Sequence, residues 1–266
     1  MHAAIGFVTN FFDTLGIGSY APTTSLYKLL KVVPDDRIPG TMNIGHTVPT
    51  LIQAFTFITI VDVAPTTLVP WIAAATIGAW LGAGVVARLP RRTIQIGMGA
   101  ALIVAAIAFT ASNLRLFPLG GDATGASGAQ LALGFGCYMV LGALMTLGIG
   151  IYAPTMVIVT LMGMSPTTAF PIMMGAAAFL MPVASVRFLQ SGRYERRAAL
   201  GLTLGGIPAV LIAAFIVKSL PLEVIRWVVV VVVLYAASAM LKSAARERRG
   251  GAATPPEPER ALSEVR

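Results

Sequence analysis

The chain has 266 residues, of which 56% are hydrophobic and only 11% are charged, and its mean hydropathy is +0.82. Soluble domains carry about 25% charged residues, so this composition excludes a water-soluble globular protein and predicts an all-α polytopic membrane protein. The formal net charge of +8 comes from Arg and Lys residues at segment ends and in the tail. That placement is typical of a topology signal rather than of a nucleic-acid-binding surface.

Apolar segments recur in the same order in both halves of the chain. Each half starts with an apolar segment that glycines interrupt, at 3–31 and at 131–163, and three uninterrupted apolar spans follow. A spanning helix needs about 20 apolar residues, which the uninterrupted spans roughly provide. They are 38–61, 66–87, 93–111, 167–189, 198–217 and 222–241.

This order predicts four regions. Residues 1–113 form a first membrane repeat, 114–130 an extracytoplasmic connector, and 131–243 a second membrane repeat. Residues 244–266 are rich in Arg, Glu and Pro, with few large apolar residues, which predicts a disordered cytoplasmic tail.

A ten-residue stretch that occurs twice indicates that the two halves arose by duplication. Thr14–Thr23 reads TLGIGSYAPT and Thr146–Thr155 reads TLGIGIYAPT, at a constant offset of 132 residues. Each copy interrupts an apolar run with Gly-x-Gly and restarts it near a proline, Pro22 or Pro154. Such an interruption is typical of a transmembrane helix that is broken inside the bilayer.

The basic loops predict the topology. Arg and Lys residues cluster at 88–92, 187–197 and 242–249, and the positive-inside rule assigns all three regions to the cytoplasm. All three lie inside only if each interrupted segment returns to its own side or crosses twice. Each half then makes an odd number of crossings, so the two repeats have inverted orientations. The pattern leaves open whether the interrupted segments re-enter or cross twice.

The two interruptions predict a binding site near the bilayer midplane. Each second half-helix, about 22–31 and 154–163, begins near the predicted midplane, with its proline expected as the first helical residue. Free amides and the positive dipole end make a helix N-terminus an anion site, and glycines let a ligand approach the backbone. Close helix packing is the alternative explanation of these glycines. The predicted substrate-binding residues are Gly16, Gly18, Ser19, Tyr20, Thr23, Gly148, Gly150, Ile151, Tyr152, Thr155, Asn43 and His46.

Two ionisable residues inside the apolar segments are candidates for proton coupling. They are Asp13, which precedes the first interruption, and His46, which lies one turn from Asn43. Their counterparts in the second repeat are Met145 and Ala178, so neither role is symmetric. A helix-capping role for Asp13 and a structural hydrogen bond for His46 stay open as alternatives.

At these residues the sequence resembles the TauE/SafE family of sulfite and organosulfonate exporters. That family has a glycine-rich break followed by a proline in each half, which Gly16–Gly18 with Pro22 and Gly148–Gly150 with Pro154 match. It also has a Gly-Thr pair, here Gly40-Thr41, and a glycine-rich span before a Leu-Pro loop, here Leu89-Pro90. The resemblance covers about residues 3–243. The chain departs from the pattern at the third glycine, which is Ser19 or Ile151.

Together these features predict a secondary transporter that exports a small sulfur anion, sulfite or an organosulfonate, across the cytoplasmic membrane. Its partners are then the anion and the lipid bilayer; no enzyme activity, cofactor, metal site or nucleic acid is predicted. A divalent-cation transporter and a non-transport membrane scaffold are the alternatives. The sequence leaves open the identity of the anion, the coupling ion, the transport direction and whether the chain forms a homo-oligomer.

Overall fold

The described residues of the computed structural model are 1–34, 36–86, 91–114, 116, 121–145 and 151–251. Within these ranges the regular elements are ten α-helices and one short 3-10 helix, Pro166–Thr168. The α-helices are α1 His2–Thr14, α2 Tyr20–Leu30, α3 Ile38–Ile60, α4 Pro65–Val86, α5 Arg91–Asn113, α6 Gly128–Met145, α7 Tyr152–Leu161, α8 Ala169–Ser191, α9 Arg196–Ser219 and α10 Leu222–Gly251.

Length and composition make four stretches of these helices able to cross a bilayer: Gln95–Asn113, Gly128–Met145, Arg196–Ser219 and Glu223–Arg246. Large apolar side chains point outward from the bundle, among them Trp80 with 80% of its surface exposed, Leu204 and Phe215. In water such a surface would associate or aggregate, whereas lipid solvates it. The chain is therefore an all-helical membrane protein.

The helix bounds follow the predicted segments closely, except at the C-terminus. Helix α10 continues to Gly251 and so includes residues 244–251, which the sequence predicted as the start of a disordered tail. Its Ala- and Arg-rich turns have good helix propensity, and this extends the helix beyond the apolar span. The rest of that predicted tail, 252–266, lies outside the described residues.

Four helix pairs form most of the bundle. Helix α1 packs on α9, α4 on α6, α3 on α8 and α5 on α10. Glycines allow the closest approaches, since a Cβ at Gly205 would meet the Ala3 carbonyl oxygen, and a Cβ at Gly142 would meet that of Ala75. In lipid, helices associate through such small-residue contacts because burial of apolar surface supplies little driving force there.

At one end of the bundle, the start of α1 lies beside the end of α2. The ring of His2, at the start of α1, lies 6.2 Å from the ring of Tyr27 in the last turns of α2. The loop after α2 adjoins the loop after α8, where Arg37 pairs with Glu195 at 3.6 Å. Helices α1 and α2 therefore form a hairpin whose two outer ends lie together.

The opposite end of the bundle contains the connector and both outer ends of the α6–α7 pair. The Ala64 amide, after α3, donates to the Thr124 carbonyl, and the Ser165 amide, after α7, donates to the Ala123 carbonyl, both at 2.9 Å. Helix α6 starts from this connector and α7 ends beside it. The α1–α2 and α6–α7 pairs thus enter the bundle from opposite ends.

Candidate functional site

The first interruption lies between Thr14, the last residue of α1, and Tyr20, the first of α2. Gly16 and Gly18 have φ angles of +92° and +87°. This region strongly favours glycine, because a Cβ would strain the backbone there. The two glycines thus allow the chain to reverse direction within five residues.

Both short helices start in the same way. Ser19 and Ile151 are the N-cap residues of α2 and α7, and the first helical hydrogen bonds run from Thr23 N to Ser19 O at 3.0 Å and from Thr155 N to Ile151 O at 2.9 Å. Pro22 was predicted as the first helical residue, but it is the third. Its missing amide costs nothing at the third position either, because the first-turn amides have no partner within the helix.

Pro154 likewise is the third residue of α7 and not the first. The second Gly-x-Gly, with the predicted site residues Gly148 and Gly150, lies outside the described residues.

A hydrogen bond and a close packing contact join the inner ends of the two helical pairs. The Tyr152 hydroxyl, on the first residue of α7, donates to Asp13 Oδ2 at 3.4 Å. A Cβ at Gly16 would meet the Met156 terminal methyl group. Residues from the two copies of the repeated stretch therefore lie against each other, although 139 positions separate Asp13 from Tyr152.

Asp13 is 2% exposed, and polar groups surround its carboxyl group. In the amide orientation that satisfies both neighbours, the Gln53 nitrogen donates to Asp13 Oδ2 at 3.0 Å, and its oxygen accepts from the Thr14 N–H and hydroxyl. Ser19 faces the same carboxyl group with its hydroxyl and its backbone N–H. The carboxyl group thus lies at the N-terminus of α2, where a negative charge is favoured.

His46 is fully buried and both of its ring nitrogens have partners. Nδ1 lies 3.0 Å from Asn10 Oδ1, and Nε2 lies 3.1 Å from Thr23 Oγ1. The Asn10 Nδ2 group donates to the Gly6 carbonyl at 2.7 Å, which orients Oδ1 toward the imidazole. In its neutral form His46 therefore carries its proton on Nδ1 and accepts the Thr23 hydroxyl proton at Nε2.

Thr155, the counterpart of Thr23, also has an aromatic partner. Tyr138 donates to Thr155 Oγ1 at 3.0 Å, and its ring stacks on Trp71 at 5.1 Å. Tyr138 lies on α6, whereas His46 lies on α3. The two copies thus hold the same first-turn threonine with different chemistry.

Some of the remaining predicted residues lie in this cluster and others do not. The Tyr20 ring lies 6.1 Å from the His46 ring, and Ser19, Thr23 and Tyr152 share this region. Asn43 does not take part in the described contacts of the cluster, since its amide donates to the Pro39 carbonyl of its own helix at 3.1 Å. Ile151 is buried and contributes packing and a cap rather than a polar side chain.

Open space adjoins the first interruption. A Cβ at Gly18 would meet no heavy atom of the described residues within 4 Å, so these residues leave room for a ligand beside the backbone between Gly18 and Ser19. Amides in the first turn of α2 that have no partner within the helix would donate hydrogen bonds to an anion there. The Asp13 carboxyl group competes for the same helix end, so its charge would influence anion binding.

The predicted site residues did not include Asn10 and Gln53, which contact His46 and Asp13, or Tyr138, which contacts Thr155. The available signal was a polar residue within an apolar span, which is a functional candidate by default. Within the described part of the chain, no group of three His, Cys, Asp or Glu side chains could hold a metal ion.

A comparison with protein families found a match for this chain. The sequence model of the family described as Sulfite exporter TauE/SafE matches residues 117–264, which is more than half of the chain. Searches of curated proteins and of solved structures found no match. The matched region contains α6 to α10, and it therefore includes the α6–α7 pair whose inner end contacts Asp13. By this match the chain belongs to the TauE/SafE family of membrane sulfite exporters.

Proposed function

We propose that the protein is a secondary transporter that exports sulfite or an organosulfonate across the cytoplasmic membrane, by alternating access around a site at the inner ends of the two helical pairs. The observation that carries the proposal is the contact between Tyr152 and Asp13. It supports a shared central site, because it brings the first turn of α7 against the last turn of α1, and these helices belong to pairs that enter from opposite ends of the bundle. Secondary transporters commonly bind anions at such helix ends near the midplane.

The charge distribution supports a membrane orientation. Arg193, Arg196 and Arg197 lie at the same end as the outer ends of α1 and α2, so we assign that end to the cytoplasm. The connector and the outer ends of α6 and α7 are then extracytoplasmic. In this orientation both short pairs are re-entrant and six helices cross the bilayer: α3, α4, α5, α8, α9 and α10. Helix α10 then ends in the cytoplasm.

The helix pairing supports two inverted repeats. The offset of 132 residues relates α1 to α6. After a one-residue change in this offset, to 131, the repeat relates α4 to α9. Exchanging the halves turns the α1–α9 pair into the α6–α4 pair, which the bundle also contains. The α3–α8 and α5–α10 pairs map onto themselves, as expected of helices that meet across a pseudo-two-fold axis.

A difference between the equivalent half-helices supports alternating access. Helix α7 packs against α5, α8 and α10, whereas the principal neighbours of α2 are α1 and α3. Leu29 and Leu30 near the end of α2 are exposed. In the proposed orientation, the well-packed α7 lies on the extracytoplasmic side and the loosely packed α2 lies on the cytoplasmic side. This difference is expected of a state that is closed to the outside and more open to the cytoplasm.

Asp13 is the better candidate for proton coupling. Both His46 nitrogens are held by the neutral partners Asn10 and Thr23, so a second proton on this ring would bury a charge that neither partner neutralises. The Asp13 carboxyl group lies at the junction of the two repeats and at the N-terminus of α2. Protonation there removes a negative charge from the helix end that an anion would occupy.

Thermal unfolding of the purified full-length protein tests the proposal with a panel of sulfite, sulfate, thiosulfate, sulfoacetate, taurine, chloride, nickel and calcium. A ligand that binds only the folded state raises the melting temperature once its concentration exceeds its dissociation constant. We expect saturable stabilisation by sulfite or an organosulfonate. Stabilisation by a divalent cation alone, or by none of the panel, would overturn the proposal.

A further inference from the structure

A cavity with polar and apolar lining lies near the end of the bundle that contains the connector. It is small and partly open, and it lies between the end of α5, the end of α7 and the start of α10. Phe109 and Val229 form apolar walls, and Ser112, Asn113, Thr160 and Arg226 supply the polar lining. The cavity is separate from the cluster around Asp13 and His46, none of whose residues lines it.

Among the described residues, Asn113 Nδ2 has no hydrogen-bond partner and Arg226 has no ion-pair partner. Asn113 Nδ2 is buried and has no hydrogen-bond acceptor, although an unsatisfied buried donor costs free energy. Arg226 forms no ion pair within the described ranges, and no carboxylate lines the cavity. The Thr160 hydroxyl is already committed to the Met156 carbonyl at 2.8 Å. The cavity therefore lacks a hydrogen-bond acceptor for Asn113 Nδ2, and the nearby charge of Arg226 is positive.

The repeat shows what the same positions do at the other end of the bundle. A shift of 131 residues relates Arg226 to Gln95 and Ser112 to Ser243. Gln95 Nε2 donates to Ser243 Oγ at 3.1 Å, so the cytoplasmic copy is a neutral contact between α5 and α10. Packing of these helices thus does not require a cation. An Arg at the extracytoplasmic end also opposes the usual charge bias of membrane proteins.

We propose that the cavity around Arg226 and Asn113 is a second anion subsite, on the extracytoplasmic side, for a small oxyanion that has left the central site. This inference rests on the proposed function, because it assigns the subsite to the exit side of the same export path. A guanidinium and an amide donor suit a planar or tetrahedral oxyanion. The apolar walls and the small volume favour sulfite or sulfate over a bulky organic anion.

The test is titration calorimetry of the full-length protein with sodium sulfite and sodium sulfate at constant ionic strength. We expect two binding events in the native protein. The weaker event should persist in Gly18→Ala, which alters the central site, and should lose affinity by about tenfold or more in Arg226→Gln because a charge-assisted bond is removed. Arg226→Lys should retain it in part. Lys218→Gln, which removes an exposed cation from the last turn of α9, is the matched control and should leave both events unchanged.

Asn113→Leu separates a binding role from a structural one. Removal of an unsatisfied buried donor should leave the melting temperature unchanged or raised, whereas the weaker binding event should lose affinity.

If Arg226 only caps the ends of α5 and α7, Arg226→Gln lowers stability and leaves both binding events intact, and the subsite is refuted. A single event abolished by Gly18→Ala refutes the subsite but not the transporter. A single event abolished by Arg226→Gln supports the subsite and refutes the central site, and no binding refutes both.

Discussion

Tyr152 donates a hydrogen bond to Asp13 Oδ2 at 3.4 Å, and this bond joins the first turn of α7 to the last turn of α1. The two residues occupy non-equivalent positions of the repeat, because the counterpart of Asp13 is Met145. The centre of the molecule is therefore asymmetric in its chemistry. A proton or an anion at this junction would contact both halves.

Replacement of Asp13 by Asn should remove the pH dependence of anion binding. If protonated Asp13 favours the bound anion, affinity in the native protein is highest at low pH and falls as the carboxyl group loses its proton. Asn has nearly the same shape and no charge, so affinity in Asp13→Asn should stay constant. An alkanesulfonate is the right probe, because its own charge does not change near neutral pH.

Tyr152→Phe is the control for this experiment, because it removes one donor and leaves the carboxyl group. It should retain the pH dependence. An unchanged pH profile in Asp13→Asn would show that another group carries the proton.

Gly16 and Gly18 should respond differently to Ala. Both have positive φ, so each substitution costs about 1 kcal/mol or more in backbone strain. A Cβ at Gly18 has open space, whereas a Cβ at Gly16 would meet the Met156 methyl group. We therefore expect Gly16→Ala to lower the melting temperature further, and Gly18→Ala to fold but to bind sulfite more weakly.

Gly97→Ala is the matched control for the two glycines. Gly97 is helical, and no atom of the described part of the chain lies within 4 Å of its Cβ position, so Ala should be neutral or stabilising by up to about 1 kcal/mol. Equal sulfite affinity in Gly18→Ala and Gly97→Ala would argue that the backbone at Gly18 does not contact the anion.

The bond between His46 and Thr23 should contribute measurably to stability. A double-mutant cycle with His46→Leu and Thr23→Val should give a coupling of about 0.6 kcal/mol, with an upper limit of about 1.7 kcal/mol, as for other buried polar pairs in membrane proteins. Thr24→Val is the comparison, because Thr24 contacts only the weak acceptor Met42 Sδ, at 3.3 Å. Zero coupling in the cycle would mean that the imidazole and Thr23 do not interact in the bilayer.

Close packing of α4 on α6 should make Gly142 intolerant of large side chains. A Cβ at Gly142 would meet the Ala75 backbone, whereas a Cβ at Gly136 on the same helix would meet no atom of the described residues within 4 Å. Gly142→Leu should therefore cost about 3 kcal/mol or more, with loss of monodisperse protein in size-exclusion chromatography. Gly136→Leu should purify normally; similar yields of the two variants would contradict the packing of α4 against α6.

The sequence predicts the helices and the interruptions better than it predicts the contacts. Apolar length and the repeated Gly-x-Gly suffice to locate α1 to α10, because bilayer thickness and backbone satisfaction constrain membrane helices strongly. The repeated stretch also identifies Tyr152 and Ser19, which lie at Asp13. Asn43 was expected beside His46 from helical spacing alone, yet its amide bonds to Pro39.

The polar partners could not be predicted because they depend on which helix faces which. Asn10 meets His46 across the α1–α3 contact, and Gln53 meets Asp13 across the same pair of helices. Periodicity in one chain segment does not determine such a register. The position of proline within α2 and α7 also escaped prediction, because every first-turn position tolerates a missing amide.

Sulfite efflux from proteoliposomes tests the central claim most directly. Vesicles that contain the full-length protein are loaded with sulfite, and its appearance outside is followed for the native protein, Gly18→Ala and Gly97→Ala. The account predicts saturable efflux that Gly18→Ala abolishes or slows by at least about tenfold, an effect of 1.4 kcal/mol, while Gly97→Ala transports normally. Efflux that is equal in all three, or no faster than from protein-free vesicles, would contradict it.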